Sequence, residues 1–160
     1  MAPHDVPPPL GDDRPLEGLK VIELASVLAG PLVGTFLAEL GADVIKVEMP
    51  GIGDVTRSWR LPGESTDGPS AYYVAANGPK QGLRLNLKTE TGQRELDALL
   101  AEADILLQNA RSDSLEALGL DPMRLAERHP RLIHVHLLGF LDQPGRAGYC
   151  LLYTSDAADE

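Results

Sequence analysis

The chain has 160 residues, 43% hydrophobic but only 4% aromatic, enough for one compact domain with a core of Leu, Val, Ile and Ala. Its formal charge of −10, from 24 acids against 14 Lys and Arg, argues against a nucleic-acid partner, because neutralising phosphates takes clustered cations. The single cysteine, Cys150, excludes an internal disulfide framework and any multi-cysteine metal site, and suits a reducing, cytoplasmic setting.

Residues 1–14 are proline-rich and lack both a basic start and an apolar run. They are expected to form a loose arm, with neither a signal peptide nor a membrane span. The apolar run at 20–24 predicts a buried parallel strand. A small-residue turn at 25–30 leads to Pro31, whose fixed φ suits a first helical position. Leu32, Phe36, Leu37 and Leu40 then recur at helical spacing up to Gly41. Residues 43–48 predict a second strand, and strand, helix and strand in so short a span make a right-handed βαβ unit. Residues 49–70 carry Gly, Pro and Asp without a sustained period and read as a long functional loop. A short helix at 71–76, a strand at 82–87, a helix at 89–101 and a strand at 104–108 follow. Helices at 113–118 and from Pro122, capped by Asp121, precede a last strand at 132–138. The sum is an α/β, Rossmann-like open parallel sheet with flanking helices over residues 15–149.

Open parallel sheets bind ligands outside the carboxyl ends of their strands, which directs attention to the residues after each strand. The turn Ser26-Val27-Leu28-Ala29-Gly30-Pro31 feeds a helix start whose N–H groups suit a phosphate, although an ordinary strand-to-helix turn needs small residues too. His134 and His136 point to one side of the last strand, and with no third ligand in view they read as structural. Glu23, Glu39 and Glu48 also read as structural, since no spacing brings two of them together.

The ordered set of residues 16–24, 28–31 and 37–48 closely resembles the class III CoA-transferases of CaiB/BaiF type. Gly51 to Asp54 with Thr56-Arg57, the 77–80 turn, 85–88, Asn109 and 130–133 continue the likeness. The resemblance implies that this chain is the N-terminal, CoA-binding part of such an enzyme, with acyl-CoA and a carboxylic acid as substrates and no permanently bound cofactor. It implies that Ser26, Val27, Leu28 and Ala29 lie against the adenine end of CoA, and that Leu85 and Asn109 line the same site. Trp59 matches a tryptophan near the acyl thioester, with Arg57 just before it; a surface aromatic and a solvated charge are the plainer readings of the two. Met49 stands where many members carry a cation near the CoA phosphates, so part of that charge pairing is missing. Pro79 and Gln81 depart from the usual turn as well.

The family's nucleophile is an aspartate that forms covalent acyl intermediates, and it is expected beyond Gly148-Tyr149, with Tyr149 bordering the active site. No catalytic residue is therefore expected inside this chain. Residues 150–160 read as a translated sequencing adaptor and are set outside the fold. The full enzyme is implied to be an interlocked homodimer in the cytoplasm, without nucleic-acid or membrane partners. An α-methylacyl-CoA racemase-like enzyme and a non-catalytic nucleotide-binding module or functionless fragment stand as alternatives.

Overall fold

The computed structural model describes residues 14–140. Tyr149, the tail at 150–160 and the arm through residue 13 lie outside the described residues. Five strands, β1 (Lys20–Glu23), β2 (Asp43–Glu48), β3 (Gln81–Arg84), β4 (Ile105–Gln108) and β5 (Ile133–His136), form one sheet in the order β3-β2-β1-β4-β5. Every neighbouring pair is parallel. The expected open parallel sheet is present, and its order reverses direction between β1 and β4.

The helices begin where polar side chains replace missing backbone partners. Ser70 accepts from Tyr73 N ahead of α2 (Ala71–Asn77), Thr89 accepts from Gly92 N ahead of α3 (Glu90–Glu102), and Asp121 accepts from Arg124 N ahead of α5 (Pro122–Arg128). α4 (Ser112–Ala117) is a short link after β4. α1 (Ala29–Glu39) differs, because Leu28 precedes it and supplies no side-chain cap. Pro31 is the third residue of α1 rather than the first, a place where its missing N–H still costs nothing. The 49–70 segment is likewise more ordered than its composition predicts: Asp54 caps a 3-10 turn at Val55–Ser58.

Alternation along the strands divides the core in two. Ile22, Val47, Leu85 and Leu106 pack with Leu96 and Leu100 of α3 and with Leu115, Leu120 and Leu125. On the other face Val21, Val44 and Leu107 pack with Ala42 and the partly buried Leu37 and Ala38. That second face carries Glu23, Lys46 and Glu48 as well, and all three are buried. α1 sits on it through Gly30, Pro31, Gly34 and Thr35. The expected apolar stripe faces the sheet only in part: Leu37 packs there, while Leu32 is 47% and Phe36 60% exposed. The reason is steric, because a Cβ at Gly30 would overlap that of Ala25 and one at Gly34 would overlap the Glu23 carboxylate. Only a face of small residues seats the helix this closely.

Candidate functional site

Because every strand runs the same way, the ends of β1, β2, β3 and β4 lie at one edge, followed by Ser26, Met49, Leu85 and Asn109 respectively. Asn109 joins the turn after β1 directly. Its Oδ1 accepts from Ser26 N at 3.0 Å and its Nδ2 donates to Ser26 O at 2.8 Å. This two-way clamp spans the β1/β4 gap, where the strand order reverses and where such sheets open a crevice. Met49 is exposed, while the Leu85 side chain is buried in the core. Trp59 is 40% exposed and lies against Tyr72, with ring centroids 5.4 Å apart.

The turn itself has an unusual backbone. Val27 has φ 71°, the left-handed region that β-branched residues avoid. Its N–H points at Asp54, 3.2 Å from Oδ2. The N–H groups of Ser26 and Val27 therefore already have acceptors within the protein, and α1 opens at the same edge without a side-chain cap.

Beneath the turn lies a buried charged network that pattern reading missed. Lys46 Nζ contacts Glu23 Oε1 at 2.9 Å, Asp54 Oδ2 at 3.1 Å and Ala25 O at 2.7 Å. Lys80 Nζ lies 2.8 Å from Glu23 Oε2, an ion contact outside good hydrogen-bond angles, so charge attraction is what satisfies that oxygen. Lys80 also donates to Pro31 O, Asn77 Oδ1 and Ala76 O. Glu48 accepts from Arg57 Nε at 2.7 Å, from Tyr73 Oη at 2.6 Å and from Asp54 N at 3.2 Å. Arg57 also stacks 3.8 Å above the Tyr73 ring, so the expectation of a solvated charge is corrected. Glu23 and Glu48, expected to be unrelated, are joined through Lys46 and Asp54. The available signal was a charge at period-two spacing inside apolar strands: Glu23 in β1, and Lys46 and Glu48 in β2.

The protonation states follow from these partners. Burial alone would raise the Glu48 carboxyl, but the bonds from Arg57 and Tyr73 outweigh it and hold it below the usual range. Burial likewise opposes ionisation of Asp54, and the Thr56 N–H and hydroxyl, with Lys46, reverse the sign. Burial lowers Lys80 despite Glu23, and burial with the neighbouring Glu48 raises Tyr73.

His134 and His136 stack with centroids 6.0 Å apart, meeting Gln108 and Ala110 O respectively. Among the described residues no group of three His, Cys, Asp or Glu is placed to hold a metal, and no helix is long and apolar enough to cross a membrane. Two hollows of about 270 and 210 Å³ lie elsewhere, one beside α3 and α5 and one at the amino edge of the sheet. Neither includes a residue of the Ser26–Asn109 clamp.

Residues 16–155 match the sequence pattern of CoA-transferase family III. The chain is 46% identical over 130 residues to the succinate–glutarate CoA-transferase of Agrobacterium fabrum, covering 79% of this chain and 32% of that protein. It is 39% identical over 140 residues to the human succinyl-CoA:glutarate CoA-transferase, covering 85% and 31%. A solved CaiB/BaiF family protein from Brucella suis shares the fold with a TM-score of 0.79 at 42% identity, over 86% of this chain and 37% of that one. The chain spans about a third of the length of these curated relatives. It belongs to CoA-transferase family III.

Proposed function

We propose that this chain forms the coenzyme A-binding part of an acyl-CoA:carboxylate CoA-transferase, which moves CoA from an acyl-CoA donor to a carboxylic acid. The observation that carries this reading is the Asn109–Ser26 clamp at the sheet's switch point, beside a helix start that no side chain caps. Main-chain N–H groups at such a start suit an anionic or polar edge of the coenzyme, which fits a site where Met49 stands in place of a cation. Trp59, on the loop rooted by Asp54 and Arg57, borders the acyl end. The named relatives are transferases, which supports CoA transfer over racemisation. The reacting aspartate belongs to sequence beyond Tyr149, and the whole protein works as an interlocked homodimer in the cytoplasm. The 160-residue chain alone performs no acyl exchange.

Amide chemical-shift mapping tests the binding claim. Adding coenzyme A at millimolar concentration should move the signals of residues 26–30 and the Asn109 side-chain amide, and an edge whose signals stay fixed overturns the proposal. Acyl exchange by the purified chain would overturn the claim that its chemistry lies elsewhere.

A further inference from the structure

The turn at residues 26–29 is fastened by two side chains. Asn109 fixes Ser26 from the β4 side, and Asp54 reaches Val27 from the loop after β2. We propose that Asp54 is a positioning residue: its buried carboxylate holds Val27 in the left-handed conformation that aims the opening amides of α1 at the coenzyme. This rests on the coenzyme A reading above.

Three observations carry it. First, Val27 is the single non-glycine residue with positive φ among the described residues. A β-branched residue stays there only when its surroundings fix it. Second, Asp54 is anchored independently of Val27. Its Oδ1 accepts from Thr56 N at 3.0 Å and from Thr56 Oγ1 at 2.7 Å, and Oδ2 faces Lys46 at 3.1 Å. Third, the side chain of Asp54 is 1% exposed, so water does not compete for the Val27 N–H. The same Lys46 binds Ala25 O, one residue before the turn, so Asp54 and the turn share one rigid frame.

The test uses the full chain with Asp54→Asn, which keeps the shape and removes the charge, and Thr56→Val, which loosens Asp54 while leaving its ion pair. Both should speed hydrogen exchange at the Val27 amide, with Asp54→Asn the larger effect. Asp54→Asn should weaken coenzyme A binding by about tenfold, as expected for a lost charge-assisted hydrogen bond. With Val27→Gly as the background, where the left-handed turn is unstrained, Asp54→Asn should cost less than about threefold. Equal losses with Val and Gly at 27, or unchanged Val27 exchange in both variants, overturn the role given to Asp54. A parent chain that shows no coenzyme A signal, while Val27 exchange still responds to both variants, removes the coenzyme reading and leaves Asp54 as the residue that holds the turn.

Discussion

Gly34 shows how a single missing atom permits the charged interior. A Cβ there would overlap Oε2 of Glu23, stand 3.0 Å from its Cδ and come within 3.3 Å of Lys80 Cε. A flexible surface carboxylate would swing aside, but this one is held from two sides by Lys46 and Lys80. Gly34→Ala should therefore destabilise the chain by about 3 kcal/mol, although alanine favours helix, and urea unfolding monitored by circular dichroism checks this. Lys80→Met tests the same node from the other partner. It leaves Oε2 of a fully buried carboxylate facing a methyl group, and breaking a buried pair in this way costs about 3–5 kcal/mol. The exposed pair Lys20–Glu102 is the control, and Lys20→Met should leave the urea midpoint unchanged.

At the scale of elements, α1 and α3 have similar lengths but meet the sheet by different rules. α3 places Leu96 and Leu100 in the core, whereas α1 offers mainly glycine, proline and threonine inward, with Leu37 partly buried beside them, and turns Leu32, Val33 and Phe36 outward. Phe36→Ser should accordingly change stability by no more than about 0.5 kcal/mol. Leu100→Ala should cost about 3 kcal/mol. Equal losses in urea unfolding would show that α1 packs by its large residues after all. Among the described residues, the positions of the five strands and five helices were legible in the sequence because period, caps and glycine stops act locally. The facing of α1 was not, because the side a helix presents depends on what the sheet offers, here Glu23 and Ala25 directly under the axis. The 3-10 turn at Val55–Ser58 escaped for a related reason, since Asp54 both caps it and reaches across to Val27.

For the whole molecule, the two faces of the sheet are held by different forces. One is a leucine core, and the other becomes ionic toward the carboxyl edge, where the candidate site lies. The edge residues were legible because a parallel sheet fixes where strand ends gather, and the resemblance named Ser26 and Asn109. The ionic layer beneath was not, because Lys46 and Lys80 draw their meaning from Glu23, which lies 23 and 57 positions away from them. This layer makes stability depend on pH in a definite direction. Asp54 and Glu48 ionise more readily in the fold than in the unfolded chain, where their ordinary values are 3.8 and 4.5. The unfolded state thus binds more protons just below those values, and stability falls as pH drops through them toward the folded values. The full contribution is present well above 4.5, the higher of the two unfolded values. The alkaline limb is mixed: Lys80, lowered by burial, adds stability as pH approaches 10.5, while Tyr73, raised by burial, removes it above 10.0. Acid is therefore the informative direction. Unfolding free energy from urea titrations should be level between pH 7 and 5 and decline steeply from 5 to 3. Glu48→Gln should be less stable at pH 7 but show a shallower decline, since one of the two carboxylates driving proton uptake is gone. A parent chain whose stability stays level down to pH 3 would mean that these carboxylates are not held ionised by Arg57, Thr56 and Lys46, and the buried ion layer would lose its claim to organise the site.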